Sequence, residues 1–215
     1  MKIVVWFLLG FLILTLFTGF YYYYFQALPM KAELYTLRNE NKALSEEMKR
    51  IAEEKKEAEK QAEKVKHTYQ SLIDDMKDEI KNGEIKISEL SGKLKVNIVD
   101  KILFDSGEAT VSKNGKKILA RLGNILKRDT SKVIRVEGHT DNVKIHPKLK
   151  KKFPTNWELS TSRATNVVRF LRDQLKIEGE RLEAAGYAEF RPVASNKTAS
   201  GRAKNRRIEI LFVPK

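Results

Sequence analysis

At 215 residues the chain has room for one compact domain plus additional elements, and 42 Lys/Arg against 28 Asp/Glu give it a formal net charge of +14. Cysteine is absent, which excludes disulfide frameworks, cysteine-ligated zinc, thiol catalysis and lipid attachment at an N-terminal cysteine. Residues 31–83 hold 12 basic and 13 acidic side chains, whereas residues 84–215 hold 29 and 15, so the basic character belongs to the C-terminal part. Such a part is drawn to polyanions (nucleic acid, anionic lipid or an acidic wall polymer), unless the charge serves solubility alone.

Ile3 to Phe25 is a run of 23 residues without a charge, in which only Thr15, Thr18 and the tyrosines are polar. A helix needs roughly 20 apolar residues to cross the hydrocarbon core of a bilayer. The run ends in Tyr21, Tyr22, Tyr23 and Tyr24, whose amphipathic rings suit the membrane–water interface. It exceeds the ~7–15 apolar residues of a signal peptide and no small-x-small site follows closely, so an uncleaved anchor over residues 1–30 is expected. Only Met1 and Lys2 precede it, a weak positive-inside signal. No Asp, Glu, Lys, Arg or His lies within the span, so it offers no relay group for protons or ions.

From residue 31 to 83 the pattern changes to a spacer. Leu34, Leu37, Asn41, Leu44, Met48, Ile51, Lys55, Ala58, Ala62, Val65, Tyr69, Leu72 and Met76 follow the 3-4 spacing of coiled-coil a and d positions. Asn41 at an a position favours a parallel homodimer in fixed register through residues 34–76, while Lys55, Ala58 and Ala62 weaken the middle of that seam. A single solvated helix or a helical hairpin is the alternative. As one continuous helix, residues 31–81 would reach roughly 75 Å. Asn82-Gly83 ends it as a turn.

Residues 84–215 read as a globular α+β domain. Leu94, Val96 and Ile98 alternate as a half-buried strand. Ile85 and Ile87 precede it either as another strand across a Ser91-Gly92 turn or as a helical tail. Ile118, Leu119, Leu122, Ile125 and Leu126 have helical spacing, and Lys132 to Gly138 reads as a strand. A second helix starts near Asn156, where Thr155 and Glu158 fit a capping box, with Ala164, Val167, Val168, Leu171 and Leu175 as its apolar face. Arg181 to Tyr187 and Ile208, Ile210 and Phe212 give two more strands. The order β-α-β-α-β-β predicts a mixed sheet with helices covering one side.

Several motifs occur in sequence: Ile102-Leu103-Phe104-Asp105-Ser106-Gly107, Gly138-His139-Thr140-Asp141-Asn142, Asn156-Trp157-Glu158-Leu159-Ser160 with Arg163-Ala164, Gly186-Tyr187, Pro192, and Gly201-Arg202 through Asn205-Arg206-Arg207-Ile208-Glu209-Ile210. In these the chain resembles the OmpA C-terminal domain, in the variant seen in MotB and its relatives, over about residues 94–213. The resemblance implies a periplasmic module that binds the stem peptide of peptidoglycan, usually at diaminopimelate, on a chain anchored in the cell inner membrane by a single span.

The chemistry of that ligand fits the residues. A diaminopimelate side chain ends in an ammonium and a carboxylate on one carbon, so its site needs an anion and a cation a few ångströms apart. The resemblance assigns the ammonium to Asp141, next to Thr140, and the carboxylate to Arg163 as a two-pronged pair. It adds Asn156, alternatively a simple helix cap, and the loop Asp105-Ser106. Leu159 is either packing or pocket wall, Phe104 and Trp157 are expected to pack, and either Arg206 or Arg207 supplies a second cation. His139 and His146 lack a third nitrogen or sulfur ligand nearby, so no metal or other cofactor is expected. Between Asp141 and Asn156 the loop carries Lys148, Lys150, Lys151 and Lys152, a solvated run or a contact to anionic wall groups.

Nothing in the sequence supplies a nucleophile–base pair, a metal cage or a phosphate loop, so a non-catalytic peptidoglycan tether is expected. A MotB-like stator subunit is the main alternative, disfavoured by the missing intramembrane acid. A membrane-tethered nucleic-acid binder would need steep salt dependence without any role for Asp141, and nucleic acid is not expected as a partner.

Overall fold

The computed structural model describes residues 2–90 and 93–214. Intrachain contacts divide the chain into two units, residues 1–59 and 60–215. The first unit is helical. Helix α1 (Lys2–Tyr22) passes through one π-helical turn (Tyr23–Ala27) into α2 (Leu28–Asp75). The Thr15 and Thr18 hydroxyls donate to the carbonyls of Leu12 and Thr15 at 2.9 and 3.0 Å, so these two side-chain donors are satisfied within the helix, as an apolar solvent requires. Pro29 lacks an N–H and its ring crowds the carbonyl four residues back, and the wide π turn lies where that carbonyl, Phe25, sits. Among the described residues this is the one helical run long and apolar enough to cross a membrane. Farther along α2, Leu34, Leu37, Leu44, Met48 and Ile51 are all exposed.

The second unit is built on a five-stranded sheet of order β1-β2-β5-β3-β4. Strands β1 (Ile85–Leu90) and β2 (Lys93–Val99) pair antiparallel, which selects the strand over the helical tail for Ile85 and Ile87; the expected Ser91-Gly92 turn lies outside the described residues. Strand β5 (Arg207–Pro214) is antiparallel to both β2 and β3 (Lys132–His139), and β4 (Leu182–Gly186) adds parallel to β3. Alternation sends Leu94, Val96, Ile98, Ile134, Val136, Ile208, Ile210 and Phe212 to one face, where they pack with Ile118, Leu119, Leu122 and Leu126 of α5 (Lys113–Leu126) and Ala164, Val167 and Leu171 of α6 (Asn156–Leu175). A short helix α4 (Asp100–Leu103) follows β2, and α7 (Ala199–Asn205) precedes β5. Arg181, fully buried, donates to the carbonyls of Lys132, Leu126 and Asp129 and so locks the start of β4 to the loop before β3.

One expectation is revised. Val65, Leu72 and Met76, assigned to the intermolecular seam, are buried in this unit's own core, with Tyr69 packed against them. The last turns of α2 and helix α3 (Lys77–Lys81) therefore belong to the sheet domain, which begins near residue 60 instead of 84. Arg121 of α5 holds them there through Asp75 at 3.0 Å and Glu79 at 2.6 Å. The physical reason is that a coiled-coil seam and an amphipathic helix packed on a sheet share almost the same apolar spacing. The helix breaks at Met76 and stops before Gly83, whose φ of +71° suits glycine.

Candidate functional site

The strand register gathers the site. Val99 of β2 and His139 of β3 both pair with Arg207 of β5, so the residues just beyond those strand ends, Asp100, Arg206 and Thr140-Asp141, emerge at one end of the sheet. The amide of Asp100 donates to the carbonyl of Arg206 at 3.1 Å. Helix α6 crosses the same end against glycine: a Cβ at Gly138 would stand 2.2 Å from the carbonyl oxygen of Ser160, and one at Gly186, opposite it on β4, 2.2 Å from the Thr161 hydroxyl. That close approach brings Asn156 and Arg163 to the strand ends. Thr155 caps α6, and its capping box with Glu158 forms as expected.

Four charges meet there as two crossed ion pairs. Arg163 is buried, with Nη1 at 2.9 Å from Asp100 Oδ1, Nε donating to the Glu108 carbonyl at 2.9 Å and the guanidinium 5.0 Å from the centre of the Phe104 ring. Asp141, also buried, pairs through Oδ2 with Nη1 of the half-exposed Arg206, while its Oδ1 accepts from the amide of Val143 at 3.1 Å. Burial pushes the Asp100 carboxyl above its ordinary value, against the lowering influence of Arg163 and Arg206. Burial likewise lowers Arg163, and the charge of Asp100 only partly offsets it. Asp141 acts electrostatically on both groups, so the two pairs form one coupled cluster. Beside it opens a cleft of about 400 Å³ lined by Asp100, Phe104, Ser106, Lys204 and Arg206.

The expected residues separate into two groups. Asp141, Arg163, Asn156 and Arg206 are linked at the strand ends, and Asn156 fixes the loop by donating to the carbonyls of Asp141 and Val143 at 3.3 and 3.1 Å. Ser106 faces the cleft. Thr140 is buried, its amide bonded to the Ala188 carbonyl and its hydroxyl without a protein partner. Asp105 is exposed and is not among the cleft residues. Leu159 packs into a small cluster with Ala109 and Phe153. Of the two candidate arginines, Arg206 stands at the cluster, whereas Arg207 turns to the other sheet face, 2.6 Å from Glu209 and bonded to the carbonyls of Asn205 and Arg191. Strand alternation between adjacent residues sends the two arginines to opposite sides. Asp100 was missed, although an acid directly after the alternating run 94–99 was a readable signal.

Trp157 also departs from the expectation of a packing residue. It is exposed and stacks on Phe190 with ring centres 5.4 Å apart. His146 is exposed and caps a short turn by accepting from the Lys148 amide, so it does not pair with His139. Buried His139 instead lies near Glu137 and Glu209, their potential donor atoms within 4.8 Å of one another. Lys95 and Arg207 already neutralise Glu209, and their hydrogen bonds outweigh burial to hold its carboxyl below the usual range. A divalent cation would add charge to a cluster that is already balanced, so these residues fit an internal charge network better than a metal site.

The OmpA family matches residues 103–206. Motility protein B of Bacillus subtilis is 39% identical over 153 residues, covering 71% of this chain, and the chain spans 56% of that relative's length. The protein YtxE of the same organism is 31% identical over 186 residues, which cover 85% of this chain and 75% of the relative. The structure of the cell wall anchor of the T6SS from Pseudomonas aeruginosa superposes with a TM-score of 0.61 at 32% identity, covering 67% of this chain and 97% of that one. The motif order and these likenesses agree, and the chain belongs to the OmpA/MotB family.

Proposed function

We propose that this protein is a non-catalytic tether between a bacterial membrane and the cell wall. Residues 3–25 serve as a single-pass anchor in the inner membrane with the sheet domain on the periplasmic side. Residues 34–51, an exposed 3-4 apolar stripe, pair with a second copy in parallel. The sheet domain binds peptidoglycan at the diamino acid of the stem peptide.

The coupled cluster of Asp100, Asp141, Arg163 and Arg206 carries this reading. A zwitterionic side-chain tip inserts without burying net charge: its ammonium takes Asp141 and its carboxylate takes guanidinium. Arg206, whose side chain is 41% exposed, is free to swing from Asp141 to the ligand. Arg163 is already oriented by Asp100, Phe104 and the Glu108 carbonyl, so little conformational freedom is lost on binding. The wall-anchor likeness of the fold supports the same reading.

A second reading, a motor stator subunit, is favoured by the identity to motility protein B. Since residues 3–25 carry no ionisable acid, the proton- or ion-carrying group would come from a helix of another chain.

Co-sedimentation of the full chain in detergent with isolated sacculi, and separately with duplex DNA, tests the proposal. The wild type pellets with sacculi at physiological salt, Asp141→Asn does not, and Arg206→Gln pellets less. Equal pelleting of the variants, or pelleting that follows DNA and vanishes with salt, overturns it.

A further inference from the structure

We infer that Trp157 and Phe190 form a platform for a pyranose ring of the glycan strand, next to the pocket proposed for the stem peptide; the inference rests on that reading of the pocket. The two rings come from residues 33 positions apart, the first turn of α6 and the loop after β4, yet stack at 5.4 Å with an interplanar angle of 27°. They stay 46% and 65% exposed. A buried aromatic pair needs no further explanation, but an exposed one leaves an apolar surface in water with a ring face still to be covered.

The platform is held in place. Ala188 is fully buried with a left-handed φ of 46°, a conformation disfavoured for a side-chain-bearing residue unless its surroundings impose it. Three hydrogen bonds impose it: the Tyr187 amide donates to the Gly138 carbonyl at 2.9 Å, the Thr140 amide to the Ala188 carbonyl at 2.9 Å, and Ser160 of α6 bonds the Ala188 amide at 3.1 Å. The Phe190 amide then closes the turn on the Tyr187 carbonyl. Both rings are thus fixed to the residues that present Asp141: Trp157 follows Asn156, which bonds the Asp141 carbonyl, and the Phe190 loop is bonded to Thr140.

The occupant follows from size and chemistry. Among the described residues of 60–215, the exposed large apolar side chains are Val143, Trp157, Phe190 and Val193. A protein partner needs about 800 Å² on each side, and a bilayer surface needs a broad apolar face. Two rings suit an object the size of one sugar. The C–H face of a pyranose is apolar and slightly positive, matching the negative face of an aromatic ring, while its hydroxyls remain free for the polar rim. A stem peptide of three residues spans about 10 Å when extended, so a pocket gripping its tip has the parent glycan strand within reach of the neighbouring surface.

The chain has two tryptophans, Trp6 and Trp157, so Trp6→Phe leaves Trp157 as the single indole reporter. Glycan strands stripped of stem peptides by an amidase, added to the full-length Trp6→Phe protein in detergent, should shift Trp157 emission saturably. Phe190→Ala and Trp157→Ala should each lower affinity for intact sacculi about tenfold while leaving affinity for the free stem peptide within twofold, and Trp157→Phe should restore most of the sacculus binding. An emission unchanged by glycan strands, or sacculus binding unchanged in both alanine variants, overturns the inference. Failure of the stem peptide to bind with glycan binding intact would instead overturn the pocket reading and leave the platform standing.

Discussion

Arg163 lies 2.9 Å from Asp100, and Asp141 is held by Arg206, so the anion and cation that the sequence brings together are each engaged with another partner. This crossing explains how the buried charges of Arg163 and Asp141 persist within the domain, since an unpaired charge in such a place would be strongly disfavoured. Replacing Asp100 with Asn leaves Arg163 buried without its counter-ion. The expected cost is roughly 3–5 kcal/mol of domain stability, since removal of one partner of a buried pair is of that order. In a domain of this size that lowers Tm by about 10 °C, read by circular dichroism. A Tm within 2 °C of wild type, roughly the shift from less than 1 kcal/mol, would show that Asp100 does not support Arg163.

Gly138→Ala tests how α6 reaches the strand ends. The added methyl would meet the backbone of Ser160, which cannot rotate away. Overpacking of this kind costs about 1–3 kcal/mol, or more where backbone must move. The expected result is a lower denaturant midpoint at unchanged m, together with weakened sacculus binding, because displacing α6 moves Asn156 and Arg163 together.

The network on the opposite sheet face has a defined pH dependence. Glu209 lies below its ordinary value of 4.5 in the folded state, because Lys95 and Arg207 outweigh its burial. A carboxyl depressed on folding contributes stability that is full above the unfolded value and lost as pH falls through the folded one. Glu209→Gln should therefore be less stable than wild type at neutral pH, with the gap narrowing as pH falls below 4.5 in urea titrations. A gap independent of pH would contradict the assignment.

The two segments of α2 should respond differently to substitution. Leu72 is fully buried in the sheet domain, so Leu72→Ala should cost about 2–5 kcal/mol of domain stability and leave the oligomeric state alone. Leu44 is exposed on the stripe proposed for pairing, so Leu44→Asp should convert dimer to monomer in sedimentation equilibrium at unchanged domain Tm.

Much of the fold was legible because strands 94–99 and 132–138 and the capped helix at Thr155 announce themselves by period and cap. The limit at the spacer is physical. Leu72 and Met76 obey a seam spacing that cannot say whether the covering surface is another copy or the chain's own sheet. Within the site, Asp141, Asn156 and Arg163 were readable from motif order. Which of Arg206 and Arg207 faces the cleft depended on where β5 begins, and the acid after run 94–99, Asp100, gained its place beside Arg163 only through the register that aligns Val99, Arg207 and His139. The stack of Trp157 on Phe190 joins distant segments, and no local pattern encodes it.

Calorimetric titration of the full-length protein with two stem peptides tests the central claim most directly: one carrying diaminopimelate, the other lysine, which keeps the ammonium and lacks the neighbouring carboxylate. The pocket as described binds the diaminopimelate peptide at least about tenfold more tightly, a difference of about 1.4 kcal/mol that Arg206→Gln diminishes and Asp141→Asn abolishes along with binding itself. Equal affinity for the two peptides, unaffected by either substitution, would contradict it.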